Sequence, residues 1–258
     1  MIPIDLSGKH ALVLGVANHR SIAWAIAEKV HAAGAALCLT YANERMRPGV
    51  EELAATLPGV FTMECDVSMD SHIDAVMHTL AERWGSLECL VHGVAYANKD
   101  DLEGTFVATS REGFRLALEV SAYSLLNITN RALPLLEKHG ASIISMSFLA
   151  AERAVPAYNV MGSAKAVLEQ STRQLAYELG PRNIRVNAVS AGPLNTLAAR
   201  GISGLAGKLK QHSDRAALRR NITKEEVGNA GLFLLCDLSS GITGEVMYVD
   251  AGYRMMGG

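Results

Sequence analysis

The stretch that decides the fold spans residues 10–27 and reads HALVLGVANHRSIAWAIA. It begins with a short apolar run that ends at Gly15, as a buried strand followed by a turn does. From Ser21 onward, apolar residues recur at the spacing of a helix. A strand that passes into a helix through a glycine turn predicts the first βα unit of a parallel sheet.

The same alternation continues along the chain. Six further apolar runs predict strands, at residues 35–41, 60–65, 87–92, 141–147, 184–190 and 245–250. Helical patterns separate them, at residues 47–57, 70–84, 110–138, 157–179 and 223–236, and Pro134 predicts a kink in the longest one. Most of the strand candidates are continuously apolar, which is typical of parallel strands buried on both faces. We therefore expect residues 1–258 to form a single-domain, Rossmann-like α/β fold with a doubly wound, seven-stranded parallel sheet.

One connection is longer than the others. Residues 195–220, which we call the lid segment, separate the sixth and seventh predicted strands. They have a weakly helical pattern that is interrupted by Gly201, Gly204 and Gly207. Long insertions at the ligand-binding edge of such a sheet are often mobile covers over the site. We therefore predict a helical lid over the substrate.

Composition excludes several functional classes. The 258 residues are 49% hydrophobic and carry a formal net charge of −2, from 24 Lys+Arg and 26 Asp+Glu. Such a chain is too apolar and too weakly charged for intrinsic disorder, and it presents no general field for nucleic acid or an anionic membrane. No stretch reaches the about 18–20 apolar residues of a membrane span. The first residues lack the basic start of a secretory signal.

The four cysteines, Cys38, Cys65, Cys89 and Cys236, form no C-x-x-C pair and have no histidine at the spacing of metal ligands. Three of them lie in or beside predicted strands, where cysteine is commonly a buried free thiol. We therefore expect no metal site and a reducing, cytoplasmic location.

The turn after the first strand is suited to the phosphates of a dinucleotide. Gly15 lets the backbone turn tightly, and in such folds the N–H groups at the start of the following helix point at the pyrophosphate. The G-x-G-x-x-G pattern is incomplete, however, because Ser21 and Ala23 occupy the later positions. An ordinary βα turn therefore remains an alternative on these residues alone.

The ends of the second and third strands hold further candidates. In dinucleotide-binding folds, an acid after the second strand favours NAD and an arginine favours NADP. Ala42 follows this strand, and Glu44 and Arg45 both come late, so these residues do not decide between the two. Asp66 follows the third strand, where its carboxylate can reach the adenine amino group or can cap a turn.

Tyr158 and Lys165 are the candidate catalytic pair. They are seven residues apart on one predicted helix, and seven steps of about 100° bring their side chains to the same face. A nearby ammonium lowers the pKa of a tyrosine and can hold a ribose hydroxyl. On the spacing alone, a solvated tyrosine and a solvated lysine remain the alternative.

Two motifs together give a family resemblance. Gly-x5-Ser-x-Ala at Gly15–Ala23 and Tyr-x-x-Met-x-x-x-Lys at Tyr158–Lys165 resemble the divergent branch of the short-chain dehydrogenase/reductase superfamily. In the ordinary branch the tyrosine lies four residues before the lysine, where this chain has Met161. Longer stretches resemble the bacterial type I enoyl-acyl-carrier-protein reductases: SGKHALVLGVANHRSIAWAIA, AERAVPAYNVMGSAK, NIRVNAVSAGPLNTLAARGI, LRRNIT and SGITGEVMYVDAGY.

This resemblance implies the NADH-dependent reduction of the C2–C3 double bond of trans-2-enoyl thioesters, the last reductive step of the fatty-acid elongation cycle. Tyr158 would donate a hydrogen bond to the thioester oxygen, and Lys165 would hold the nicotinamide ribose. With Lys165, the matched cofactor-binding positions are Gly15, Ser21, Ile22, Ala42, Asp66, Val67, Val94, Leu194, Asn195, Thr196, Leu197 and Ala198. With Tyr158, the matched substrate-binding positions are Tyr96, Ala97, Phe148 and Met161.

The chain departs from the family pattern in three places. Phe148 stands where many members carry a second tyrosine, and it cannot donate a hydrogen bond. In the lid segment, Ser203, Ala206 and Gly207 stand where members tend to place basic residues for the acidic carrier protein. Ala42 stands where NADPH-using relatives have an Arg-Lys pair, which favours NADH without excluding NADPH.

The resemblance also implies partners. An acyl carrier protein would present the substrate, and the chain would form a homotetramer through helices 110–138 and 157–179. Other functions stay open: a paralogue that acts on CoA-bound or specialised enoyl thioesters, a carbonyl-reducing short-chain dehydrogenase, or a cofactor-binding sensor without catalysis. Met161 argues against the carbonyl reductase, since that branch needs a tyrosine there. The retained Tyr158 and Lys165 argue against the sensor.

Overall fold

The computed structural model describes residues 4–196 and 204–257. Its strands are β1 His10–Leu14, β2 Ala36–Tyr41, β3 Phe61–Glu64, β4 Cys89–His92, β5 Ala141–Ser147, β6 Ile184–Ala191 and β7 Val246–Val249. Its α-helices are α1 Ile22–Ala32, α2 Arg47–Ala54, α3 Asp70–Arg83, α4 Lys99–Glu103, α5 Arg111–Leu118, α6 Ser124–Leu136, α7 Val160–Leu179, α8 Leu205–Arg215 and α9 Lys224–Leu235. A π turn spans Glu119–Tyr123, and short 3-10 helices span Phe106–Ala108, Leu149–Ala151, Gly180–Arg182 and Asp237–Ser239.

The strands form one parallel, seven-stranded sheet in the order β3-β2-β1-β4-β5-β6-β7. The winding direction reverses between β1 and β4, whose last residues, Leu14 and His92, are paired. In open parallel sheets, ligands bind beyond the carboxyl ends of the strands at such a reversal. The predicted fold class is therefore confirmed, and the sheet itself indicates where the site lies.

Helices cover both faces of this sheet, which explains the continuous apolar runs. Side chains alternate between the two faces along each strand. Val13 and Val91 face the layer of α1, α2 and α9, while Leu12 and Leu90 face the layer of α3, α6 and α7. All four are fully buried. Because consecutive residues are buried on opposite sides, no polar–apolar alternation is left in the sequence.

The helix predicted at residues 110–138 is two α-helices joined by the π turn. The hydroxyl of Ser124, the first residue of α6, donates to the carbonyl of Val120 in this turn at 2.7 Å. Such bonds from side chain to backbone compete with the regular helical ladder. The π turn is thus an irregularity that the sequence pattern did not predict, and Pro134, where we predicted a kink, lies inside α6.

The lid segment contains α8. Residues 197–203, which include the predicted Leu197 and Ala198 and also Ser203, lie outside the described residues. Within residues 4–196 and 204–257, no helix combines the length and the apolar character needed to cross a bilayer.

Candidate active site

Two glycines, Gly15 and Gly93, directly follow β1 and β4 at the carboxyl edge of the sheet. Gly15 has a φ of +91°, and a Cβ placed on it would lie 2.1 Å from the Gly93 carbonyl oxygen. A Cβ on Gly93 would lie 2.7 Å from the Leu14 carbonyl oxygen and 3.0 Å from the Ala23 Cβ. Neither position admits a side chain, so the two strand ends and the start of α1 approach closely. Sequence reasoning singled out Gly15 but missed Gly93, whose signal is a glycine directly after an apolar strand.

The Ser21 hydroxyl shapes the turn between β1 and α1. It accepts hydrogen bonds from the backbone N–H groups of Ala17 at 3.0 Å and Asn18 at 3.1 Å. Ser21 is buried and precedes α1 without capping it through its side chain. The first N–H groups of α1, which begins at Ile22, can therefore receive an anion. This turn fits the pyrophosphate of a dinucleotide.

After the end of β2, the first cation of the adjoining helix α2 is paired. Ala42 directly follows β2 and is exposed. Arg47, the first residue of α2, binds Glu51 at 2.8 Å and Glu44 at 3.5 Å. Because two carboxylates already engage this guanidinium, Arg47 is less available to a 2′-phosphate than an unpaired arginine would be.

Asp66, after β3, performs the turn-capping role that was one of its two predicted alternatives. Its carboxylate accepts from the Ser68 N–H at 2.9 Å and from the Ser68 hydroxyl at 2.7 Å. Val67, next to it, is buried. Val94, after β4, is partly buried and packs in the same apolar layer. These residues bring the ends of β3 and β4 to one edge.

Residues 192–196 follow β6 and reach the same edge. Leu194 is partly buried against the layer of α1 and α9, and the Thr196 N–H donates to the Leu194 carbonyl at 2.9 Å. Asn195 is exposed. The buried His212 of α8 packs here, since a Cβ on Gly192 would lie 2.9 Å from His212 Nε2. Helix α8 of the lid segment therefore packs beside Gly192, two residues before the predicted cofactor-binding residue Leu194.

Tyr158 and Lys165 lie near the end of β5, but the prediction that both are on one helix is wrong. α7 begins at Val160, so Tyr158 precedes it in a turn. The flanking residues have positive φ angles, +55° at Ala157 and +38° at Asn159, which are outside the right-handed helical region. The turn, rather than helical periodicity, therefore sets the direction of the Tyr158 side chain.

Asn159 ties this turn to the segment after β4. Its side-chain Nδ2 lies 3.2, 3.0 and 2.8 Å from the carbonyl oxygens of Asp101, Leu102 and Gly104. These contacts hold a non-glycine residue in a backbone conformation of the kind that costs about 1–3 kcal/mol. Sequence reasoning missed Asn159, and the tolerance of asparagine for positive φ is the signal that could have found it.

Burial sets the ionisation of the catalytic candidates. Lys165 is 4% exposed, and its Nζ donates to the Met146 carbonyl at 2.7 Å. Burial lowers the pKa of Lys165 to about 8, while the Glu169 carboxylate acts in the opposite direction. Burial raises the pKa of Tyr158, in contrast to the lowering that we expected from a nearby ammonium. The phenol therefore keeps its proton at neutral pH and is available as a hydrogen-bond donor.

An apolar wall adjoins Tyr158. The ring centroids of Phe148 and Tyr158 are 4.8 Å apart, with an interplanar angle of 48°. Met161 and Ala97 pack with Tyr158 in a small apolar cluster. Tyr96 is 54% exposed, and a serine hydroxyl of the π turn holds its backbone. The predicted substrate-binding residues thus come together, except for the outward side chain of Tyr96.

The fold and these residues define a class of protein. A sheet that reverses between β1 and β4, a glycine turn before α1, and a phenol and a buried lysine that both contact the end of β5 are the features of a dinucleotide-dependent reductase of the short-chain type. The family model described as "Enoyl-(Acyl carrier protein) reductase" matches residues 15–254. The chain belongs to the enoyl-acyl-carrier-protein reductase family. In the part of the chain that the structure describes, no group of three or more His, Cys, Asp or Glu residues could hold a metal ion.

Known relatives extend over almost the whole chain. The enoyl-[acyl-carrier-protein] reductase [NADH] FabI of Nostoc sp. is 49% identical over 257 residues, 98% of this chain and 99% of that protein. Its counterpart from Bacillus cereus is 47% identical over 254 residues, with 98% and 99% covered.

Solved structures agree. The Bacillus cereus enoyl-acyl carrier protein reductase, crystallised with NADP+ and an indole naphthyridinone, matches with a TM-score of 0.95 and 47% identity over 98% of both chains. FabI of Candidatus Liberibacter asiaticus matches with a TM-score of 0.96 and 40% identity, over 100% of this chain and 99% of that one. The family resemblance is confirmed.

Proposed function

We propose that this chain is an NADH-dependent enoyl-acyl-carrier-protein reductase, which reduces the C2–C3 double bond of trans-2-enoyl thioesters in fatty-acid elongation. The observation that carries the proposal is that Tyr158 packs against the apolar wall of Phe148 and Met161, while the buried Lys165 donates to the Met146 carbonyl at the same end of β5. Gly15, with its φ of +91°, makes the tight turn from β1 toward α1 at the carboxyl edge of the same sheet.

Tyr158 and Lys165 have separate roles in the proposed mechanism. NADH supplies the hydride that reduces C3. Tyr158, protonated because burial raises its pKa, donates a hydrogen bond to the thioester oxygen as negative charge develops there. Lys165, anchored on the Met146 carbonyl, binds the nicotinamide ribose and provides positive charge near the enolate. Protonation of C2 then completes the saturated thioester.

The turn residues bind the rest of the cofactor in this proposal. The start of α1, which the Ser21 hydroxyl and Gly15 shape, receives the pyrophosphate. Leu194, Asn195 and Thr196 would lie on the carboxamide and pyrophosphate side of the cofactor. Both curated relatives named above carry NADH in their names. The occupied Arg47 supports the same choice.

One assay tests the function. Purified chain is mixed with the crotonyl thioester of acyl carrier protein or of CoA, with NADH or NADPH in turn, and nicotinamide absorbance is followed. We expect oxidation of NADH with the carrier-bound substrate. Absence of oxidation in every combination, together with turnover of a ketoacyl thioester, would overturn the proposal in favour of a carbonyl reductase.

The lid segment supports a second candidate, reduction of CoA-bound enoyl thioesters. Several of its basic side chains are engaged within the chain: Lys208 donates to the Pro156 carbonyl, Lys210 binds Asp214 and Arg220 binds Glu226. Paired cations attract an acidic carrier protein less strongly than unpaired ones. A kcat/KM for crotonyl-CoA equal to that for the carrier thioester would favour this second candidate.

Phe148→Tyr is expected to change kcat by less than threefold. The ring of Phe148 already packs on Tyr158, so a hydroxyl at its edge adds a donor without moving the ring. Steady-state kinetics with crotonyl thioesters measure the effect. A gain of a hundredfold would show that the native site lacks a necessary donor and would contradict the assignment of the phenol role to Tyr158 alone.

We further propose a homotetramer that packs through α5, α6 and α7. These neighbouring helices and the π turn between α5 and α6 expose large apolar side chains: Phe114, Tyr123, Leu126, Val167 and Tyr177. Contiguous exposed apolar surface is characteristic of subunit interfaces. The four buried free cysteines support a reducing, cytoplasmic location as part of the same proposal.

Val167→Glu is expected to dissociate the tetramer, because it places a charge within this apolar surface, where Val167 is 42% exposed. Light scattering coupled to gel filtration measures the mass. Leu238→Glu is the matched control, since Leu238 is also an exposed apolar residue, at 51%, but lies away from these helices. A Val167→Glu protein that keeps the mass of four chains would refute this interface.

A further inference from the structure

A buried acid lies one helical turn beyond Lys165 and has no part in the mechanism above. Glu169 of α7 is 3% exposed. The Ser147 hydroxyl, at the end of β5, donates to its Oε1 at 2.6 Å. Residues four apart on a helix lie on the same face, so Glu169 and Lys165 are neighbours on the side of α7 that packs on the sheet.

The Ser147–Glu169 contact fixes the segment that touches both catalytic candidates. Ser147 directly follows Met146, whose carbonyl accepts from Lys165 Nζ at 2.7 Å. It directly precedes Phe148, whose ring packs on Tyr158. The hydrogen bond to Glu169 therefore anchors the end of β5 between these two contacts.

Other charged and titratable groups surround this pair. On α7, Arg173 approaches Glu169 at 3.7 Å, and Arg173 is half exposed. Glu152 and Arg254 also act on Glu169, and Glu169 contributes to the raised pKa of Tyr248. On β4, burial and the Lys165 charge lower the pKa of His92 to about 3, so this imidazole is neutral. Among these groups, Glu169 is the carboxylate whose charge raises the pKa of Lys165.

We propose that Glu169 is a positioning residue, whose carboxylate, held by Ser147, keeps the Lys165 ammonium charged inside the site. This inference rests on the proposed function, because it assigns to the charged form of Lys165 the binding of the ribose and the stabilisation of the enolate. Burial lowers the pKa of Lys165, and a carboxylate on the same face of α7 opposes the loss of its proton.

The pKa of Lys165 is about 8, the net result of burial, which lowers it, and of the Glu169 charge, which raises it. Loss of the negative charge therefore moves this pKa lower, and the ammonium is lost earlier as the pH rises. The alkaline limb of the activity profile then shifts toward lower pH.

Glu169→Gln and Ser147→Ala separate charge from hydrogen bonding. The glutamine still accepts from Ser147 but carries no charge, whereas the alanine removes the hydrogen bond and leaves the carboxylate. We expect Glu169→Gln to move the alkaline limb of kcat/KM down by about one pH unit. We expect Ser147→Ala to leave the limb in place. An unmoved limb in Glu169→Gln, or an equal shift in Ser147→Ala, would overturn the proposal.

A binding measurement keeps this test independent of turnover. NADH fluorescence titrations from pH 6 to 10 report the Kd of each variant, with the melting temperature as a check of folding. Glu169→Gln should show a weakening of NADH affinity that begins about one pH unit lower than in the wild type. If the wild type binds NADH but does not reduce crotonyl thioesters, the proposed function fails. If it does both and the Kd profiles of wild type and Glu169→Gln coincide, the role of Glu169 fails.

Discussion

Replacing Tyr158 by phenylalanine is expected to lower kcat by about 10²–10³-fold, the usual effect of removing one donor to a developing oxyanion. The phenol is half-buried and keeps its proton, so its hydroxyl is a ready donor in water-poor surroundings. Phe148, the adjacent ring, has no hydroxyl to replace it. The substrate KM should change little, because the lost interaction forms mainly in the transition state.

The comparison that checks this prediction uses single-turnover rates with NADH and a crotonyl thioester. Tyr177→Phe is the matched control, since it removes a phenol hydroxyl away from the site and leaves the apolar ring on the proposed subunit surface in place. NADH affinity should stay unchanged in Tyr158→Phe. Turnover near that of the wild type would contradict the role assigned to Tyr158.

Lys165→Met is expected to weaken NADH binding by about 10- to 150-fold, the equivalent of the about 1.5–3 kcal/mol of a hydrogen bond to a charged group. The same change should lower kcat, because the positive charge near the enolate disappears. Methionine has a similar length, but the buried Glu169 loses its cationic neighbour, so the variant should also lose some stability. The Met146 carbonyl then loses the donor that it has in the native chain.

Fluorescence titration of NADH measures the Kd, and thermal unfolding confirms that the variant folds. Lys138→Met serves as the control, since Lys138 is exposed just after α6. Lys165→Arg separates charge from shape, because the guanidinium keeps the charge but not the compact form of the ammonium. NADH affinity in Lys165→Met equal to that of the control would refute the ribose-binding role.

Much of the fold could be predicted from local patterns. Continuous apolar runs indicate strands buried on both faces, and the helical segments between them imply parallel connections. The capping box of Thr223 and Glu226, which begins α9, was also predictable, since both partners lie three residues apart. Strand bounds such as those of β3 came out shorter than predicted, because pairing with a neighbour decides where a strand ends.

The candidate site could be predicted less completely. Residue type and order sufficed to single out Gly15, Tyr158 and Lys165. Gly93 escaped because its role is a contact with Gly15, far away in sequence. Glu169 escaped because a glutamate on a helix is ordinarily a solvated side chain, and nothing local shows that it is buried.

The sequence by itself determined the order of strands and helices, the glycine turn after β1 and the presence of a tyrosine and a lysine at a family spacing. These features depend on neighbours in the chain, so periodicity and residue type suffice. Tertiary structure alone decided that Tyr158 stands in a turn held by Asn159, that burial keeps its proton in place, and that Lys165 lies between the Met146 carbonyl and the charge of Glu169. Desolvation and the contacts between β5 and α7 exist only once the sheet and its helices have packed, which is why no local pattern could encode them.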